Sequence, residues 1–191
     1  VNPISNTYTL DRWLCIASQA SKYSVQQNAA SVAPPAGFTN YFGVTSLSAY
    51  SLGATDSFSI IQKIEGYNFS DMAFGTSSAA TVTLSFWVRS SLTGTFGGNL
   101  GNSAADRFYP FSYTINAANT WEKKSITIAG DTTGTWLTTS GVGAVLVFGL
   151  GQGSTYSGTA GSWTSSLILN VTGATSVVGT SGATWYVTGV Q

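Results

Sequence analysis

The side chains of this 191-residue chain that can engage another molecule are aromatic and amide-bearing rather than ionisable. There is no histidine, and Cys15 is the single cysteine. Ser-His-Asp triads, Cys-His pairs, imidazole metal sites and thiolate zinc clusters therefore lack the residues they require. No Gly-x-x-x-x-Gly-Lys-Ser/Thr phosphate loop occurs either. Glycoside hydrolysis needs only two carboxylates, and the acids available are Asp11, Asp56, Glu65, Asp71, Asp106, Glu122 and Asp131. Several have local explanations: Asp11 beside Arg12, Glu122 before Lys123 and Lys124, Asp106 beside Arg107, and Asp131 in a Gly-Asp-Thr-Thr-Gly turn. Calcium accepts carboxylates and loop carbonyls, and Asp56, Asp71 and Asp131 are the acids with the least obvious partners. No Asp-x-Asp-x-Asp-Gly loop is present, so neither a cofactor nor a structural metal is expected. Cys15, in the apolar run Trp13-Leu14-Cys15-Ile16, reads as a small buried hydrophobe.

The positive signal is aromatic residues set beside polar ones. Along Thr81–Arg89, Val82, Leu84, Phe86 and Val88 alternate with Thr83, Ser85, Trp87 and Arg89. A period of two sends the first set to the core and leaves Trp87 on the polar face with Ser85 and Arg89. Tyr109 and Tyr113, just after Asp106-Arg107, are similar cases. Gln62 shares a strand face with Ile60 and Ile64, and Trp163 stands in a Gly/Ser-rich run with Tyr156 that is long enough to fold over a sheet. Rings of this kind stack on the apolar C–H faces of sugars while amides, hydroxyls and guanidinium groups bond the sugar hydroxyls. Trp87, Arg89, Tyr109, Tyr113, Gln62 and Trp163 are therefore the candidate ligand-binding residues, and no catalytic residue is assigned. Trp13, Trp121 and Trp185 sit in apolar alternations and read as structural. The triplets Asn68-Phe69-Ser70 and Asn170-Val171-Thr172 match the N-glycosylation pattern, but such matches arise by chance in a chain this rich in Ser and Thr.

Strands must position these residues. Besides Thr81–Arg89, strand character runs through Phe58–Ile64, Tyr109–Ile115, Trp121–Ile128, Gly143–Leu150, Leu167–Val171 and Ala183–Val190, all β-branched or aromatic. Turn-rich segments separate them: Pro34–Gly37, Gly94–Asn102, Gly130–Gly134, Gly151–Gly161 and Gly179–Gly182. Leu10–Ser21 reads as a strand or a short helical turn. Amphipathic crossover helices are missing, which predicts an all-β, two-sheet antiparallel β-sandwich of jelly-roll type in one domain over residues 1–191. The pattern at both ends suggests part of a longer chain.

Composition narrows the partners. Seven basic and seven acidic residues cancel, and charged residues make up 7 % of the chain against a typical quarter. Such a chain offers no field to attract nucleic acid or an anionic membrane, and neither is expected as a partner. No apolar run is long enough to read as a spanning helix. A neutral surface of hydroxyls and amides suits a module held within a large extracellular or virion assembly.

An ordered set of short motifs carries a resemblance over nearly the whole chain. Tyr8-Thr9-Leu10-Asp11-Arg12-Trp13, Ile64-Glu65-Gly66, Val82-Thr83-Leu84-Ser85-Phe86-Trp87-Val88-Arg89-Ser90, Asn119-Thr120-Trp121-Glu122 and Gly189-Val190-Gln191 resemble C-terminal domains of phage tail fibre and related virion proteins. Such domains run on into a Leu-Glu-x-Gly tail that is missing here. The same strand pattern is similar to carbohydrate-binding modules with a β-jelly roll, and this resemblance implies a sheet face that holds a glycan. Three readings follow. The first is a non-catalytic carbohydrate-recognition module of a phage tail or virion protein, at the virion surface or extracellular, with a glycan and other virion subunits as partners and homo-oligomerisation open. The second is a purely structural virion domain, and the third a glycan-cleaving enzyme with two facing carboxylates.

Overall fold

A computed structural model describes residues 6–28 and 32–191. In chain order its strands are β1 (Thr7–Leu10), β2 (Trp13–Ala17), β3 (Tyr23–Gln27), β4 (Phe42–Ser46), β5 (Ser57–Glu65), β6 (Val82–Ser90) and β7 (Gly94–Asn102). They continue with β8 (Phe108–Ile115), β9 (Glu122–Ile128), β10 (Val142–Gln152), the two-residue β11 (Ser157–Gly158) and β12 (Asn170–Val171), and β13 (Thr184–Thr188). The helical content is three short 3-10 turns. A six-stranded antiparallel sheet has the order β1-β2-β5-β10-β7-β8, and a five-stranded antiparallel sheet the order β3-β4-β13-β6-β9. The fold is the expected all-β jelly-roll sandwich.

Alternation decides which side chains fill the space between the sheets. From the six-stranded sheet come Cys15, Phe58, Ile60, Leu146, Phe148, Phe96, Phe111 and Ile115; from the other come Tyr23, Val25, Val44, Phe86, Val88, Trp185 and Val187. Phe86 and Val88 are fully buried and Leu84 nearly so, as the pattern of β6 requires. Aromatic edges lock the layers, with Phe86 meeting Phe148 at 5.0 Å and Tyr113 at 5.1 Å between ring centroids. Hydrogen bonds cross the core from the Trp185 indole to the Tyr113 hydroxyl and from the Tyr23 hydroxyl to the Ile16 and Ser59 carbonyls.

Three segments depart from the sequence reading. Gly94–Asn102 is not a turn but a nine-residue strand flanked by β10 and β8. Its glycines serve close packing: a Cβ on Gly97 would lie 2.5 Å from Asn170 Oδ1, and one on Gly98 would lie 2.0 Å from the Val147 carbonyl. Leu167–Val171 keeps strand pairing only at Asn170–Val171, because the segment crosses the outer face of the six-stranded sheet instead of joining its edge. Leu10–Ser21 holds β2 and no helix, its apolar residues paired with β5.

Candidate functional site

The outer face of the five-stranded sheet carries Thr83, Ser85, Trp87 and Arg89 from β6, with Leu84, Phe86 and Val88 turned the other way. The neighbours of β6 are β9 and β13, so the side chains flanking Trp87 are Lys123 and Thr188. Ser85 faces Ser125, and Arg89 faces Tyr186. Strands β5 and β8, which carry the candidates Gln62, Tyr109 and Tyr113, belong to the opposite sheet, so these residues do not share a surface with Trp87 and Arg89. Sequence spacing does not reveal strand order.

Half of this face is closed. Tyr41, Trp121 and Tyr186 form an aromatic group with centroids 5.1 to 6.4 Å apart, and the Trp121 indole donates to the Ala33 carbonyl at 2.8 Å. Gly43 makes room for it, since a Cβ there would sit 3.3 Å from the Tyr186 ring. Arg89 is tied into the same edge: its Nε donates to the Asn119 carbonyl at 2.9 Å and its guanidinium lies 5.6 Å from the Tyr186 centroid. What stays open is the area around Trp87, Lys123, Ser85, Ser125 and Thr83.

Trp87 is half-buried. The chain's other five tryptophans each pack against another ring: Trp13 on Phe42, Trp121 on Tyr41, Trp136 on Phe74, Trp163 on Tyr109, Trp185 on Phe148. Trp87 has no ring neighbour among the described residues. Its indole N–H also donates no hydrogen bond there, whereas those of Trp121, Trp136, Trp163 and Trp185 all do.

The remaining candidates lie elsewhere. Tyr109 and Tyr113 point inward with Phe111 and Ile115 and are buried, at 7 % and 6 % exposure. Burial pushes the Tyr113 phenol well above its ordinary range, only partly offset by the Trp185 hydrogen bond. Neither is a surface ligand group. Trp163 belongs to an aromatic cap with Phe74, Trp136 and Tyr109, its N–H donated to the Ala129 carbonyl at 2.7 Å and the Arg107 guanidinium 5.8 Å from its centroid. It anchors the 153–175 segment instead of offering a free ring. Gln62 faces inward between Ile60 and Ile64 at one mouth of the sandwich, opposite Trp13.

Several acids are engaged. Asp131 takes both Arg107 Nε and Nη2 at 2.7 and 2.8 Å, plus the Trp136 indole and Thr133. Burial alone would raise its pKa, but these bonds outweigh it and hold the carboxyl below its usual range. The expected local pairing of Asp106 with Arg107 gives way to this fork, and Asp106 instead accepts from Asn102. Glu122 accepts from Lys124 at 2.6 Å and from the backbone of Asn116 and Ala117. Despite burial, these donors bring its pKa to about 2. Asp56 is held by Ser18, the Gly53 amide and Tyr50, and its pKa is lowered by the first two above all. Among the described residues no three His, Cys, Asp or Glu side chains gather as a metal-binding group would.

One polar residue escaped the sequence reading. Asn99 is 1 % exposed, projects from the outer face of β7, and its Oδ1 has no partner among the described residues. It floors a groove of about 260 Å³ with Ile61, Lys63, Val145 and Phe108. The strand alternation of Phe96, Gly98 and Leu100 against Asn99 and Gly101 was the available signal, obscured by three glycines.

No protein-family model matches the sequence, and no curated protein matches it. The fold is similar to that of solved structures at low identity. The whole chain aligns with the enzymatically active domain of bacteriophage CBA120 tailspike protein 4 at 12 % identity and a TM-score of 0.50, spanning 21 % of that chain. A CBM4 structure aligns at 14 % identity over 94 % of this chain and 84 % of the other, TM-score 0.47. A family 11 carbohydrate-binding module from Clostridium thermocellum, in complex with a β-1,3-1,4-mixed-linked tetrasaccharide, aligns at 9 % identity over 98 % and 91 %, TM-score 0.48. These likenesses concern the fold.

Proposed function

We propose that this chain is a non-catalytic carbohydrate-recognition module of a phage tail or other virion protein, displayed at the virion surface, which binds a cell-surface or environmental glycan on the Trp87 face of the five-stranded sheet. One observation carries the reading: among the described residues, Trp87 alone of the six tryptophans lacks a ring neighbour, and its N–H is unused there. A large ring left half-open on a sheet, between Lys123 and Thr188 with Ser85 and Ser125 behind, has the make-up of a stacking platform with hydrogen-bonding groups about it. The virion context rests on the ordered motif resemblance, because a sandwich of this kind serves many functions.

A structural virion domain without its own ligand is the second reading. The burial of Tyr41 and Tyr186, at 3 % and 5 % exposure, favours it, since these rings are spent on holding the chain together rather than left open. A glycan array with the folded protein separates the two. Binding to a glycan class that Trp87→Ala abolishes, with its melting temperature kept, supports recognition. A clean array supports the structural reading, and binding that Trp87→Ala leaves intact rules out the Trp87 face as the site.

A further inference from the structure

A cavity lies away from the sheet face, at one mouth of the sandwich, where β2 and β4 begin and β13 ends. It measures about 500 Å³, within the range of small-ligand sites. Trp13 and Gln62 are opposite partners in the β2–β5 register and both point inward, so they form one wall. Asp11 stands on the rim in the β1–β2 turn, and Gln27 and Asn40 close the other side.

What sets this cleft apart is unused hydrogen-bonding capacity. Gln62 holds a position that alternation gives to the core, between Ile60 and Ile64, yet its amide is half-buried and bonds nothing among the described residues. A leucine there would continue the apolar row. Trp13 packs its ring on Phe42 and Phe148, at 5.6 and 6.2 Å, while its indole N–H, like that of Trp87, donates to nothing among the described residues. The Gln27 amide and the Asp11 carboxylate also make no hydrogen bond among the described residues. Leaving the part-buried Gln62 amide and Trp13 N–H unpaired costs free energy that a bound partner recovers, while Gln27 and Asp11 stand exposed at the rim.

We propose that this cleft is a second saccharide site, separate from the Trp87 face, which takes a neutral sugar. A neutral sugar fits the lining on each count. Its apolar C–H edge meets the Trp13 ring and Val190, and its hydroxyls accept from the Trp13 N–H and both accept from and donate to the Gln62 and Gln27 amides. The Asp11 carboxylate accepts from a hydroxyl at the rim. The lining contains no lysine or arginine, so it offers nothing to a phosphate or an acidic sugar.

The test is a nitrogen-15 NMR titration of the full chain, in which six indole N–H signals report six places independently. Glucose, galactose, mannose, N-acetylglucosamine, cellobiose and lactose serve as probes, each up to about 50 mM, since a few such contacts give roughly millimolar affinity. At least one probe shifts the Trp13 indole and the Gln62 side-chain amide together; Gln62→Leu reduces the Trp13 indole response and Trp13→Phe reduces the Gln62 amide response, each at least about tenfold. Gln62→Leu extends an apolar row and Trp13→Phe keeps an aromatic ring, so neither is expected to unfold the protein. If no probe moves the Trp13 signal, or if the signal remaining in either variant keeps its full response, the cleft is not a saccharide site. The Trp87 indole reports the sheet face separately, so one site can fail while the other stands.

Discussion

The tryptophans differ chiefly in what surrounds the ring and what the indole N–H does. Trp185 is fully buried and bonded across the core to Tyr113, Trp121 and Trp163 pin loops through backbone carbonyls, and Trp136 completes the Asp131 network. Trp87 carries none of these duties, so Trp87→Ala is expected to cost about 1 kcal/mol or less of stability, measured by denaturant unfolding, while it removes glycan binding at the sheet face. Glu122 gives a prediction in pH. Its folded pKa of about 2 lies below the ordinary carboxylate value, so its ionised form is favoured by folding. That contribution is complete above about pH 5 and is lost as pH falls toward about 2. Glu122→Gln should therefore be less stable than the parent by roughly 1–2 kcal/mol near neutrality, with the gap closing as unfolding is followed down to about pH 2.5. A gap that stays constant with pH would mean that the carboxylate is not what Lys124, Asn116 and Ala117 stabilise.

At the scale of elements, β6 and β7 show opposite strategies within one sandwich. Strand β6 is filled by side chains, and Phe86, wholly enclosed by Tyr113 and Phe148, should cost about 3–5 kcal/mol when truncated to alanine, through lost transfer energy and the cavity left behind. Strand β7 instead works by omission. Gly98→Ala places a methyl on the Val147 carbonyl and 2.7 Å from the Phe111 ring; a loss of at least about 2 kcal/mol is expected in chemical denaturation, as overpacking demands. A neutral outcome would show that β10 can move away from β7. The end of β13 depends on a third device. Gly189, at φ +60°, reverses the local twist so that Gln191 can re-pair with Ser85, and a Cβ there would strike the Phe38 ring.

For the whole molecule, seven positive and seven negative charges cancel, and four of the acids, Asp56, Asp106, Glu122 and Asp131, are held by close donors. Glycan binding at either site should then vary less than about twofold between low and high salt, since screening acts on exposed charge; a steep salt slope would point to Lys123 and an acidic ligand instead. The sequence by itself determined the fold class, the inward set of β6 and the side of the sheet on which Trp87 stands, because a strand's period of two is a local property that needs no knowledge of its neighbours. It also bounded the chemistry, since a chain without histidine and with one cysteine cannot assemble the usual triads or thiolate sites. It misread β7, where glycine's turn preference is overridden by close packing that only the partner strands create. Tertiary structure alone decided which strands adjoin β6, and with that the residues around Trp87: β9 and β13 supply Lys123 and Thr188, while Tyr109 and Tyr113 go to the core from the other sheet. It alone brought Trp13 opposite Gln62, forty-nine positions apart in the chain, into one cleft. Strand order and register are set by long-range packing between segments whose individual patterns are nearly interchangeable, and no local spacing records that choice.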